Sequence, residues 1–276
     1  MLDEPASAAA AAPLRIMTFN IKFDDVADPR AAWAGRRAAV AGVIRDSGAA
    51  VVALQEVLAG QRDDLAADLP GYTVLGVGRD DGARAGEAVP LLVRSDLTVL
   101  DAGTFWLSAT PEVPSRYTAG ALPRICTWAH VRPHDAPASG RGLRVWNVHL
   151  DHLDETLRGR QLAVVHHRAK TAARAPGQAQ VLLGDFNAGP GSPTLTDTRR
   201  AGWQEAHATS RTRPAGPAGT FHDWTPDSAW ADADARIDHV FVRDGITVHA
   251  HETLRPAAEV VPSDHFPVVV DLTVAA

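Results

Sequence analysis

Apolar residues along this chain come in short runs that end on polar side chains, a rhythm of strands more than of helices. Residues 14–19, 50–54, 72–77, 89–93, 97–100, 125–131, 143–150, 180–183, 236–242, 246–251 and 268–274 read as strands. Phe105 and Trp106 form a further short extended piece. Helical periodicity appears over 31–45, with Trp33, Val40 and Ile44 on one face and Ser47-Gly48 as its stop. It recurs over 61–69, closed by Pro70-Gly71, and over 154–174. Gly- and Pro-rich stretches at 78–87, 109–123, 132–142 and after Ala188 read as loops. About ten strands with three or four helices, often joined by short connections, predict a mixed α+β domain over 14–275. An Ala-rich tail at 1–13, expected to be disordered, precedes it.

Composition narrows the class. The chain has 276 residues, 45% of them hydrophobic, and 27 basic against 33 acidic side chains give a net charge of −6. This is the balance of a soluble globular protein, and it argues against a domain that coats duplex DNA. Lysine occurs only at Lys22 and Lys170, so 27 − 2 = 25 of the cations are arginine, the better fork for phosphate oxygens. Cys126 is the single cysteine, so no intramolecular disulfide exists. No apolar run is long enough to span a membrane and no secretory signal is recognisable. The expectation is a cytoplasmic protein with neither a membrane anchor nor an obligate protein partner.

Polar residues cluster at the strand ends. The first strand delivers Asn20, the second Gln55-Glu56, the strand at 143–148 His149, and the strand at 180–183 Gly184-Asp185-Phe186-Asn187. Asp238 lies inside a strand, and Ser263-Asp264-His265 leads into the last one. Spacing of two puts Asp185 and Asn187 on one face of an extended backbone. Any one of these is an ordinary turn, cap or core residue. Six segments that present acids, amides or imidazoles mostly at strand ends or turns are how a rigid scaffold displays a site. The set is rich in oxygen and free of thiols, which suits Mg²⁺, or Mn²⁺, rather than Zn²⁺. With histidines alongside, it fits metal-assisted hydrolysis of a phosphate ester.

Met-Thr-Phe-Asn20, Leu-Gln-Glu56, Asn-Val-His149-Leu, Gly-Asp185-Phe-Asn187, Arg-Ile-Asp238-His-Val-Phe and Ser-Asp264-His265-Phe-Pro-Val occur in this order. Together they resemble the signature of the endonuclease/exonuclease/phosphatase superfamily. The resemblance implies a four-layer α/β sandwich of the DNase-I-like type, two mixed sheets packed face to face and flanked by helices. It implies that Asn20 and Glu56 hold the divalent ion, with Asp264 as a further ligand or neighbour. His265 would pair with Asp238, Asp185 and Asn187 would orient the nucleophile and the scissile phosphate, and His149 would donate to a phosphate oxygen. Which residue is general base stays open.

Further segments are similar to a bacterial branch near the deadenylase and nocturnin relatives: Gly-Val-Gly-Arg79-Asp-Asp-Gly, Gly-Glu87-Ala-Val-Pro, Gly-Thr-Phe105-Trp106-Leu-Ser, His149-Leu-Asp-His152 and Gly-Thr-Phe221-His222. Lys22 stands where repair endonucleases of the superfamily tend to have an acid, which argues against abasic-site repair. Of the loop arginines Arg79, Arg84, Arg116, Arg124 and Arg158, the last is favoured for substrate contact, because an Arg follows the His-Leu-Asp-His segment in similar sequences. Arg79 is taken with it. The expected substrate is a phosphate ester: an RNA end, a nucleotide or a small phosphodiester.

Other enzyme classes fit less well. A binuclear zinc hydrolase needs a histidine where Asn147 stands. There is no Gly-x-Ser-x-Gly elbow and no proper dinucleotide fingerprint. The remaining alternative is a catalytically silent nucleotide- or phosphate-binding module on the same fold.

Overall fold

Period-two alternation in the central strands sends successive side chains into two different cores, and this sets the layering. The computed structural model describes residues 13–135, 142–172, 178–257 and 259–275. Most of the expected tail, part of the 132–142 loop and the end of the expected 154–174 helix lie outside these residues. In chain order the first half holds β1 (Leu14–Asn20), α1 (Trp33–Ser47), β2 (Val51–Gln55), α2 (Ala59–Asp68), β3 (Tyr72–Leu75), β4 (Leu91–Arg94), β5 (Leu97–Trp106) and β6 (Ile125–Pro133). The second half holds β7 (Leu143–His149), α3 (Glu155–Ala172), β8 (Gln180–Asp185), α4 (Pro193–Arg200), β9 (Gln204–Glu205), α5 (Ala206–Thr209), β10 (Asp238–Arg243), β11 (Ile246–Thr253) and β12 (Val268–Val274).

Two six-stranded sheets result, ordered β11-β12-β1-β2-β4-β3 and β5-β6-β7-β8-β10-β9. Each has one parallel pair near its centre, β1 with β2 and β7 with β8, among antiparallel neighbours. Ile16, Val51, Ala53, Val145, Val181, Leu183, Val240 and Val270 fill the layer between the sheets. Their neighbours Met17, Val52 and Leu54 turn outward against Val40 and Ile44 of α1 and Leu65 of α2. On the far side Trp146, Val148, Leu182 and Phe241 pack on Leu162 and Val165 of α3 and Leu195 of α4. The result is the four-layer sandwich, helices outside two mixed sheets, that the resemblance implied.

Along each central strand the inward-facing parity turns polar at its last steps. Ile16 gives way to Thr18 and Asn20, and Val51 and Ala53 give way to Gln55. Val145 is followed by Asn147 and His149, Leu183 by Asp185, and Val242 and Val240 lead back to Asp238. The site is therefore the polar end of the inter-sheet core. Beneath it Asn147 donates to the carbonyls of Leu54, Val89 and Pro90 and accepts from Gln55 Nε2 at 2.8 Å, tying one sheet to the other.

Several elements differ from the pattern-based expectation. The strand at 97–100 and the piece at 105–106 are one ten-residue strand, β5, whose register shifts between Val99 and Asp101. A shift of one residue breaks the alternation of apolar side chains, which is why the pattern reads as two pieces. The Gly-Pro-Gly-Ser-Pro run does not stay a loop: Ser192 caps α4, accepting from Leu195 N, and Pro193 starts it. Ser before Pro is a helix-start signal as well as a turn signal. Gly48 ends α1 in the left-handed conformation, at φ 65°, as expected.

Candidate active site

Register brings the strand ends together. His149 and Asp185 are partners in the parallel β7–β8 pair, and Asp185 is also opposite Asp238 in the antiparallel β8–β10 pair. Asn20 ends β1, and Glu56 follows β2 with φ 60°. Asn20 Nδ2 donates to Glu56 Oε1 at 2.9 Å within its own sheet and, across the gap between the sheets, to Asp185 Oδ2 at 3.0 Å. Asn20 Oδ1 accepts from the Lys22 amide, so the amide orientation is fixed by three partners.

Asp238 Oδ2 accepts from His265 Nδ1 at 2.9 Å, which leaves Nε2 of that ring 3.9 Å from Asp185. His149 Nε2 lies 3.6 Å from the same Asp185 oxygen. Asp185 Oδ1 accepts from the Asn187 amide, and Asn187 Nδ2 donates to Leu150 O. Two overlapping groups of ligand atoms lie within 4.8 Å of one another: Glu56, His149 and Asp185, and Asp185, Asp238 and His265. Lys22 Nζ stands 3.6 Å from Asp264 and 4.0 Å from Glu56.

The charges are strongly coupled. Burial and the nearby Asp238 push the Asp185 carboxyl up to about 7, against the pull of His265 and the Asn20 hydrogen bond. Burial alone would lower His265, but Asp238 outweighs it and, with Asp185 and Asp264, raises the ring to about 10. His149 moves the other way, well below the ordinary histidine value, through burial and the charge of Arg124.

A cavity of about 440 Å³ opens over these groups, lined among others by Lys22, Glu56, Arg124, His149, Asp185 and His265. Four of its lining residues, Lys22, Glu56, Asn187 and Asp223, have positive φ. Each such backbone costs about 1–3 kcal/mol and persists only where the surroundings enforce it. At Lys22 the buried Arg36, 2% exposed, does the enforcing: it donates to the carbonyls of Ile21, Lys22, Ala31 and Pro262. Its place on α1 carries no sequence signal of that task.

The two arginines expected to contact substrate are placed otherwise. Arg158 gives its guanidinium to Glu155 and to Asp151 O, holding the start of α3. Arg79 is forked onto Glu87 at 2.7 and 2.9 Å. Among the described residues, neither lines the cavity. Arg124 and His152 do, at 3.3 Å from each other. Phe221 also lines it, its ring 5.0 Å from that of His265.

A family model described as the Endonuclease/Exonuclease/phosphatase family matches residues 17–265. The chain belongs to this family. Among solved structures, an endonuclease/exonuclease/phosphatase from Bacteroides vulgatus is 33% identical over 96% of this chain and 100% of its own, with a TM-score of 0.86. A mannosyl-6-phosphatase from Bacteroides thetaiotaomicron is 30% identical over 94% of this chain and 99% of its own, with a TM-score of 0.84. The human Nocturnin catalytic domain shares the fold at 16% identity and a TM-score of 0.73, over 96% of this chain and 94% of its own. A search of curated proteins gave no match. No helix among the described residues is long and apolar enough to cross a membrane.

Proposed function

We propose that this family member is a divalent-metal-dependent phosphoester hydrolase acting on a small phosphorylated ligand. The observation that carries the reading is the convergence of Glu56, His149 and Asp185 within 4.8 Å of one another, beside the Asp238–His265 pair on the wall of an open cavity. The family membership and the mannosyl-6-phosphatase similarity agree with it.

The donor set fits Mg²⁺ or Mn²⁺: it is made of carboxylate oxygens without thiols. Glu56 and Asp264 would hold the ion, with Asn20 aligning the carboxylates of Glu56 and Asp185. The Lys22 ammonium beside Glu56 and Asp264 marks the same place as one that favours positive charge. When bound, the ion neutralises charge on the substrate phosphate and on the oxygen that leaves.

The other steps belong to the chain. Asp238 fixes the His265 ring so that Nε2 faces Asp185 and the cavity. Asp185 and His265 together handle the proton of the attacking water. Asn187 shares the orienting of water and phosphate, and His149 donates to a phosphate oxygen. Phe221 and Leu122 offer an apolar rim for the part of the ligand that leaves.

The test is turnover of mannose 6-phosphate, p-nitrophenyl phosphate, bis-p-nitrophenyl phosphate and a short RNA, with Mg²⁺, Mn²⁺ or chelator. Metal-dependent release from at least one supports the reading. Turnover of none, or rates that chelator leaves unchanged, would sink it and favour a silent phosphate-binding module.

A further inference from the structure

Two further side chains of the cavity wall are each held by an arginine, and neither belongs to the ligand groups formed by Glu56, His149, Asp185, Asp238 and His265. Glu87 lines the cavity with its side chain 17% exposed, while Arg79, whose guanidinium it accepts at 2.7 and 2.9 Å, does not line it. The next residue, Ala88, exchanges backbone hydrogen bonds with Val57 in both directions, which pins Glu87 near the Glu56 turn. His152 is exposed and lines the same cavity, and its Nδ1 faces Arg124 Nη2 at 3.3 Å. Asp151, 4% exposed, accepts from the amides of Leu153 and Asp154, so the turn that carries His152 is fixed as well.

These contacts decide what each side chain offers a ligand. A guanidinium only donates, so His152 Nδ1 accepts from Arg124 and the ring proton sits on Nε2. His152 therefore presents a donor. Each carboxylate oxygen of Glu87 has room for two donors, and Arg79 fills one place on each. Glu87 therefore presents acceptor sites. A phosphate oxyanion is repelled by that carboxylate and belongs at the His149 and Glu56 end of the cavity. Glu87 and His152 are left for the rest of the ligand. An ammonium there would suit Glu87, but it would waste the His152 donor and stand beside two guanidinium charges. A hydroxyl both donates and accepts, so a group of hydroxyls satisfies the two side chains together. Phe221 and Leu122, 37% and 41% exposed, line the same cavity and offer apolar surface to a carbon frame.

We propose that Glu87 and His152 are specificity-determining residues that read hydroxyls on the alcohol part of the substrate, and that the substrate is the phosphate ester of a sugar or similar polyol. This rests on the hydrolase reading and deepens it by naming the class of alcohol that leaves.

The experiment measures phosphate release from mannose 6-phosphate, glucose 6-phosphate and cyclohexylmethyl phosphate, a ring of the same size without hydroxyls, with Mn²⁺ present. Wild type should prefer at least one sugar phosphate over the hydroxyl-free ester by about tenfold or more in kcat/KM, because a site built to hydrogen-bond hydroxyls rejects a ligand that lacks them. His152→Asn keeps an acceptor for Arg124 and removes the Nε2 donor, so that preference should fall by about fivefold or more. Glu87→Gln keeps the shape without the charge and should lower it by a similar factor. His152→Gln, which returns a donor near the Nε2 position, should recover part of the preference. No preference in wild type, or a preference that survives in either folded variant, would overturn the assignment, as would equal losses on sugar and hydroxyl-free esters. Melting temperature shows whether each variant is folded, and His152→Asn, at an exposed position, decides alone if Glu87→Gln is not. Should wild type release phosphate from none of the three, the hydrolase reading fails and calorimetric titration with the same esters decides for the two residues. Tighter binding of a sugar phosphate than of cyclohexylmethyl phosphate, lost in His152→Asn, supports the hydroxyl site, and equal or absent binding refutes it.

Discussion

Asn20 Nδ2 donates to Asp185 Oδ2 across 3.0 Å, joining the ends of two strands, 165 residues apart in sequence, that belong to opposite sheets. The same nitrogen also reaches Glu56 at 2.9 Å, so one amide holds two carboxylates in place. Asn20→Ala should therefore leave the fold intact and loosen the acid cluster. Removing a group that orients metal ligands typically lowers metal affinity or activity by about 10–100-fold. The half-saturating Mn²⁺ concentration for turnover should rise by that order while far-ultraviolet dichroism stays unchanged. An unaltered metal titration would show that Asn20 does not set the carboxylates.

Metal should also act as a stabilising ligand. Glu56 and Asp264 face each other across Lys22, and a dication among them relieves repulsion that the ammonium only partly offsets. A ligand at a hundred times its dissociation constant adds about 2.7 kcal/mol to stability. Mn²⁺ should raise the melting temperature of wild type, and chelator should reverse it. Glu56→Ala should lose most of that response together with most of the turnover. A full response in that variant would remove Glu56 from the metal site.

The Asp238–His265 contact at 2.9 Å predicts coupled behaviour. Asp238 accounts for most of the upward shift of His265 and fixes which nitrogen faces the cavity. Asp238→Asn and His265→Gln should each lower kcat by about a hundredfold or more, the usual scale for a proton-handling group. The double variant should be scarcely worse than either single one, because residues that act as a unit are not additive. Multiplying losses would mean that the two work independently.

How much of this was legible beforehand depends on whether a residue's task is local. Asn20, His149, Asp185 and Asp238 stand at the ends of apolar strands, and alternation puts them on the inward face, so their meeting could be anticipated; Glu56, turned in at φ 60° after Gln55, and His265, ahead of β12, enter from turns. The arginines could not be ranked. Arg79 and Arg158 are spent on Glu87 and Glu155, partners eight and three residues away that sequence proximity did not distinguish from solvated neighbours. Arg124 reaches the cavity because β6 runs beside β7, a fact of pairing rather than of pattern. Arg36 was invisible for the same reason: its acceptors are backbone carbonyls from Ile21 to Pro262.

Gly184 gives a sharp test of the strand geometry. It has φ 141°, and a Cβ there would lie 1.9 Å from the carbonyl oxygen of Val148. That carbonyl is backbone of the paired strand β7 and cannot swing aside. Gly184→Ala should cost more than about 3 kcal/mol, well above the usual surface substitution. It should also displace Asp185, the next residue. Chemical denaturation reads the first effect, and a near-wild-type midpoint would contradict the close approach of the two strands.

Acid should weaken the fold as pH falls below the ordinary histidine range. Burial pushes His166 down to about 4 and His251 down to about 3, against about 6.5 for a solvated imidazole. Trp203 Nε1 donates to His166 Nδ1, which requires that nitrogen to be unprotonated. Below pH 6.5 the unfolded chain binds protons that the folded chain refuses, so stability is complete above that pH and falls as pH drops toward 4 and 3. Glu205 adds to the trend: burial alone would raise it, but His239, Arg199 and Arg236 hold it below the usual carboxylate range. Its contribution is present above the unfolded carboxylate value and disappears as pH falls through the lower folded one. At pH 5 these two histidines, each refusing nearly one proton, contribute about 2.5 kcal/mol per pH unit, and Asp185, raised to about 7 and so protonated in the folded chain, offsets part of it. Urea denaturation at pH 7, 6 and 5 measures it. His166→Gln keeps an acceptor for Trp203 but does not titrate, so it should lower the slope by about 1.2 kcal/mol per pH unit, the contribution of one such ring. An unchanged slope in His166→Gln would mean that this ring accepts its proton in the folded state.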